Sequence, residues 1–358
     1  MQVKTICLLI LIVVATLGCS RASKQLPEMN DKFYRLYDAD KDDYRLYADK
    51  DGYIWSSSHA SYDVVKKLDG NLNVIDSIKT PGFSKIAYVG GTTIWSFDGS
   101  LLARSIDNGK TWDCFSKNMY GNCNKTITDN NFQMIKSIIS KGGEYILGTY
   151  DGIYKSSDNG NTWHGTYVGE ETGNHQVFDM ISDNSIVYAS VQLPTPDISY
   201  GIIESSDNGQ TWKTVVSLGN YLPVSRFIGS VSSERIYALQ PPDVVVVLAK
   251  ENKEWKAISH SLVKKIKESD QCNFDFSVTT KGDILASCSL FTSKYEGGDF
   301  PTIRNKGAYL LKSLDFGKSW QEVKIDARIN FISDIAVLPS DELVAATNLG
   351  ITKIDYNK

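Results

Sequence analysis

Proline, histidine and long apolar runs are all scarce in this chain. It has nine prolines and four histidines in 358 residues. His59, His164, His175 and His260 are scattered and form no His-Glu-x-x-His pattern, so a histidine metal centre has no sequence support. No Cys-x-x-Cys occurs, which removes the zinc-ribbon and thioredoxin-like redox readings. No phosphate-cradling glycine loop, nucleophile elbow or basic stripe is present. With a net charge of −4 the chain is a poor nucleic-acid binder. No catalytic residue, cofactor or metal is therefore assigned. What remains is 42% hydrophobic, enough for a large core, with 19 Tyr, 7 Trp and 27 Gly, a mix that suits short strands joined by turns.

The one sustained apolar run lies at the N-terminus. Lys4 precedes Ile6–Val14, a run shorter than the roughly 20 residues that span a bilayer, so residues 1–19 read as a signal peptide. Its end, Thr16-Leu17-Gly18-Cys19, resembles a bacterial lipoprotein lipobox, although Leu stands two rather than three residues before the cysteine. The resemblance implies acylation at Cys19 and attachment to the membrane through the lipid alone. Ser20 after it favours the outer membrane at the bacterial cell envelope. Residues 20–32 are polar and read as a tether. Four further cysteines, Cys114, Cys123, Cys272 and Cys288, fit an oxidising compartment. Three pairings are possible, and local pairing, Cys114–Cys123 and Cys272–Cys288, is the simplest.

Self-similarity decides the fold. The octets Ser105–Trp112, Ser156–Trp163, Ser205–Trp212 and Ser313–Trp320 all read Ser-x-Asp-x-Gly-x-Ser/Thr-Trp. The aspartates Asp107, Asp158, Asp207 and Asp315 can accept bonds from backbone N–H groups just ahead of them. The glycines Gly109, Gly160, Gly209 and Gly317 supply a positive φ. Trp112, Trp163, Trp212 and Trp320 offer a large apolar face to the strands just joined. This is turn chemistry, and the aspartates are read as structural. Each octet follows one alternating strand, with two more upstream. The unit is four strands, A to D, with the octet as the C–D turn, and that is a β-propeller blade.

Degenerate copies complete the ring. In residues 226–259 Trp255 keeps its place, while Lys250 and Asn252 replace the octet's Asp and Gly. Residues 43–78 give a first blade with Asp69-Gly70 as its turn, and residues 331–356 give a last one without a D strand. Phe33–Asp38 is a candidate for that missing strand. The expectation is an all-β, seven-bladed propeller over residues 33–358, with six blades as the alternative.

The octets resemble the Asp-box, or BNR repeat. Asp-boxes occur in sialidase-like glycosidases and in noncatalytic propellers of the photosystem assembly-factor and sortilin-like types. The sialidase resemblance implies a carboxylate-binding arginine triad, for which Arg45, Arg226 and Arg328 are the positional candidates. No Arg-Ile-Pro occurs here. The noncatalytic resemblance implies a monomeric scaffold for a protein or glycan partner. Some exported lipoproteins of this size are immunity proteins, a further alternative. By blade register the A–B and C–D turns lie on one face and the B–C and D–A connections on the other. The long connections, B–C at Leu193–Tyr200 and Phe291–Lys306 and D–A at Phe115–Asn130, His164–His175 and His260–Gln271, are all of the second kind. Candidate partner contacts there are Tyr200, Tyr295, Glu296, Asp299, Phe300 and Arg304.

Overall fold

The computed structural model describes residues 44–357, apart from 50, 59–60, 82–84, 116–122, 124, 127–131, 133, 142, 169–174, 184, 196, 220–221, 233, 242–243, 264–270 and 295–301. These residues belong to one unit, Asp40–Lys358. It is a seven-bladed β-propeller without an α-helix among the described residues. Blades 1 and 3 to 6 are four-stranded antiparallel sheets in the order A-B-C-D. Blade 7 has the three strands Ile332–Val337, Leu343–Thr347 and Gly350–Ile354, so its D strand is missing among the described residues. Phe33–Asp38, the expected replacement, lies outside the described residues, as does Cys19.

Blade 2 departs from the expected pattern. Its D strand, Asp113–Cys114, carries a fifth, parallel strand, Lys125–Thr126. The Cys114–Cys123 disulfide ties the two together. A parallel neighbour cannot be reached by a tight hairpin, and the cross-link joins Cys123, two residues before that strand, to the D strand. The second disulfide, Cys272–Cys288, joins the A and B strands of blade 6. Both are the local pairings expected from sequence.

The core is divided among the blade junctions. Strand alternation sends successive side chains to opposite faces of a blade, so every blade feeds two clusters. Trp95, Phe115, Phe132 and Leu147 fill the junction of blades 2 and 3. Tyr188, Ile202, Ile236 and Val246 fill that of blades 4 and 5. The closing junction, between blades 7 and 1, is built among the described residues on Ile54, Leu68, Leu338 and Val344. The ring closes between the A strands Tyr44–Ala48 and Ile332–Val337, where the Leu46 N–H donates to Asp334 Oδ2 at 2.9 Å.

The octets do more than turn the chain. In blade 3, Asp158 Oδ1 accepts from the Ser156 hydroxyl at 2.8 Å and the Thr162 N–H at 2.8 Å, and Oδ2 accepts from the Thr162 hydroxyl at 2.7 Å. Asn108, Asn159, Asn208 and Phe316 share the left-handed conformation with the glycine that follows each. Trp112 Nε1 donates to Lys79 O at 2.9 Å and its ring packs on Ile78 and Val65, all in the preceding blade. Each octet is thus a turn and a contact with its neighbour. In blade 5, Asn252 and Lys253 take positive φ together, so the degenerate copy still makes a tight left-handed turn.

Candidate functional site

The A strands line the hub: Tyr44–Ala48, Lys85–Gly90, Ser137–Lys141, Val177–Ser182, Arg226–Ser232, Gln271–Val278 and Ile332–Val337. Register fixes one equivalent position in each. Leu46, Ile86, Ile138, Met180, Phe227, Phe276 and Ile335 lie opposite Ser56, Ser96, Leu147, Ala189, Ala238, Ala286 and Ala345. The residue before each forms a ring of seven: Arg45, Lys85, Ser137, Asp179, Arg226, Asp275 and Asp334. The ring sits near the start of the A strands, at the end of the hub where the D–A and B–C connections emerge.

From blade 4 round to blade 1 these side chains bind blade to blade. Asp179 Oδ2 accepts from the Phe227 N–H of blade 5 at 2.7 Å. Arg226 Nη2 donates to Asp275 Oδ1 of blade 6 at 2.6 Å and to Phe276 O at 3.1 Å. Asp275 Oδ2 accepts from the Ile335 N–H of blade 7 at 3.0 Å, and Asp334 Oδ2 from the Leu46 N–H of blade 1 at 2.9 Å. Ionisation follows from these surroundings. Burial in the hub pushes the Asp179 carboxyl up to about 6, against the pull of its two N–H donors and Arg226. Burial, and then the hydrogen bond and charge of Asp275, push Asp334 well above the usual carboxylate range. Burial also opposes charge on Asp275, but the Asp334 hydrogen bond and Arg226 outweigh it and hold that carboxyl low.

The residues singled out in the sequence are distributed unevenly. Arg45 and Arg226 do occupy ring positions, three blades apart. Arg328 does not: it is exposed and held by Asp326, two residues back, at 2.6 Å. Tyr200 is in the C strand of blade 4, opposite Gln192, rather than at a loop tip. Its ring packs edge-on against Phe178, which precedes Asp179, with centroids 5.6 Å apart. Arg304 is also in a strand, opposite Thr292, because the B and C strands of blade 6 run on to Lys294 and from Thr302. Tyr295, Glu296, Asp299 and Phe300 lie outside the described residues. The expected long connection from His164 is shorter, since His164–Val168 is the D strand of blade 3. The octet aspartates are at the other end of the blades. Asp107 and Asp207 are lowered to about 2, chiefly by the hydroxyls of Thr111 and Thr211.

Sequence reasoning missed Asp179, Asp275 and Asp334. A signal was present, since each is the one charged residue of a mostly apolar A-strand segment, VFDMIS, NFDFSV and ISDIAV. It also missed the apolar rim on the same face. Met134, Ile198 and Leu222 are exposed in the connections around blades 3 to 5, at 52%, 63% and 55%, and Val168, at the end of the blade 3 D strand, at 44%.

No protein-family profile matches the chain, and no curated protein matches it by sequence. Solved structures match it in fold. The extracellular domain of BT4673 from B. thetaiotaomicron is 12% identical at a TM-score of 0.53; the match covers 88% of this chain and 38% of that one, so the chain spans well under half of that protein's length. The WD40 propeller domain of Doa1 is 10% identical at a TM-score of 0.51, covering 89% of this chain and 94% of that one. U3-55K is 12% identical at 0.52, covering 85% and 89%. At such identities the likeness is one of architecture, and the class it defines is the β-propeller.

Proposed function

We propose that the protein is an exported, lipid-anchored Asp-box propeller that serves as a noncatalytic binding scaffold at the bacterial envelope, holding a protein or glycan partner on the face of the D–A and B–C connections. The observation that carries this reading is the rim of Met134, Val168, Ile198 and Leu222, which leaves large apolar side chains in water around adjacent blades. Exposed apolar groups gathered on one face mark an interaction site more often than scattered ones do. The Phe178–Tyr200 pair lies in blade 4 at the same end, between the rim and the hub. Two disulfides and the lipobox-like Thr16–Cys19 support export and anchoring.

The test uses the protein as bait in an envelope extract. A partner recovered by the parent chain is lost with Ile198→Asp and Leu222→Asp together. It is kept with Ile106→Asp and Leu314→Asp, whose equally exposed side chains are on the octet face. The opposite pattern would place binding on the wrong face, and Cys19→Ser that leaves membrane retention unchanged would remove the anchor.

A sialidase-like glycosidase is the second reading, favoured by one observation: a carboxyl pair, Asp275 and Asp334, beside Arg226 in the hub. Their separated acidities are those of an acid–base pair, but the two share a hydrogen bond and so stand closer than the roughly 5–9.5 Å at which carboxyls flank a glycosidic bond. Hydrolysis of a sialoside or another glycan, abolished by Arg226→Ala, would establish it; the commitment of Arg328 to Asp326 counts against the three-arginine site.

A further inference from the structure

We infer that a proton shared between Asp275 and Asp334 is a built part of ring closure, and that its loss to solvent loosens the seam between blades 7 and 1. The inference stands apart from the scaffold reading and concerns the hub itself. Its basis is the inventory of donors. An ionised carboxylate only accepts hydrogen bonds, so two of them cannot bond each other unless one carries a proton. Asp275 and Asp334 share a side-chain hydrogen bond. The Ile335 N–H lies 2.9 Å from Asp334 Oδ1 and 3.0 Å from Asp275 Oδ2, so both carboxyls accept from one N–H.

The surrounding charges say where the proton rests. Arg226, from blade 5, bonds Asp275 Oδ1 and favours charge there. Arg45, from blade 1, faces Asp334 at longer range, and Asp179 of blade 4 reaches the pair only through Arg226. One bonded cation balances one carboxylate, so Asp334 keeps the proton. Asp334 also carries the bond across the seam, from the Leu46 N–H. Ionising Asp334 therefore sets a second partly dehydrated negative charge against Asp275 at the seam that its Leu46 bond closes.

The test follows the proton and the seam together in the full chain. Infrared spectroscopy along a pH titration is expected to show a carboxyl that stays protonated above the usual carboxylate range and that Asp334→Asn removes. Asparagine suits the site, because its Oδ1 can face Leu46 while its Nδ2 donates to Asp275. As rising pH titrates that carboxyl, the Leu46 amide should exchange about tenfold faster than intrinsic chemistry requires. In Asp334→Asn it should keep its protection over the same range. Absence of a carboxyl that stays protonated above the usual carboxylate range, or its loss with no change at Leu46, overturns the inference. If Asp334→Asn does not fold, the titration of the unaltered chain decides by the same two readings.

Discussion

The octet glycines can be tested for their second task, contact with the preceding blade, by one matched pair of substitutions in blade 3. Gly160 and Gly143 have φ of +82° and +83°, so alanine meets the same backbone penalty at both, about 1–2 kcal/mol for a left-handed residue. The gain from a less flexible unfolded chain, about 0.4–1 kcal/mol, is also common to both. Their surroundings differ. A Cβ at Gly143 meets nothing within 4 Å, whereas one at Gly160 falls 2.4 Å from Trp95 Cη2 and 3.0 Å from Cζ2. Trp95 cannot retreat, being fully buried between Phe115, Tyr145 and Trp163. Overpacking of this kind costs about 1–3 kcal/mol. Gly160→Ala should therefore be less stable than Gly143→Ala by about 1–3 kcal/mol. At a urea slope of roughly 3 kcal/mol/M, that separates the midpoints by about 0.3–1 M. Equal midpoints would refute the reasoning and reduce the octet glycine to a turn residue.

Two further outcomes are expected. Asp179 titrates near 6 when folded and near 3.8 otherwise. The folded chain thus binds a proton the unfolded chain has released, and stability falls as pH rises from 4 to 6. For a group only partly closed off from water the loss is about 2 kcal/mol; Asp179→Asn should flatten the melting temperature over that window, and an unchanged slope would show that the carboxyl is not responsible. Cys123→Ser opens a loop whose ends are nine residues apart. The lost loop constraint is worth about 2.5 kcal/mol, read as a lower denaturation midpoint, and a variant as stable as the parent would mean that blade 2 holds its fifth strand without the cross-link.

The octet end of the propeller was legible because its bonds are local. Ser105 with Asp107, and Asp107 with Thr111, are two to four residues apart, so the whole turn fits in one word that recurs. Blade count followed from the same word and its degenerate copy around Trp255. Two local features still escaped. The asparagine before the octet glycine also takes positive φ, and its appearance at Asn108, Asn159 and Asn208 was a readable hint. Strand ends were misplaced where polar residues continue a ladder, as at Thr302–Arg304 and His164–Val168. The hub was not legible, because its bonds join residues 48 to 288 positions apart. No spacing rule links Asp334 to Leu46; only closure of the ring does.

That difference bears on where function can lie in a repeated fold. Turn positions are alike in most blades because every blade needs the same turn, and likeness there reports stability. The hub position has no such common need. A blade can be held by packing alone, yet the seven residues there run Arg45, Lys85, Ser137, Asp179, Arg226, Asp275 and Asp334. Carboxylates are placed where a neighbouring N–H or Arg226 can use them, from blade 4 round to blade 1. In blades 1 and 2 the same position holds cations, one of them, Arg45, exposed. The ring is therefore uneven, with its three carboxyls and Arg226 in blades 4 to 7 and cationic positions alone in blades 1 and 2. On the scaffold reading proposed above, the hub charges under the apolar rim would orient a docked partner. Reversing the polarity with Arg45→Glu should then change recognition while leaving the octet end, and the blades it sets, as they are.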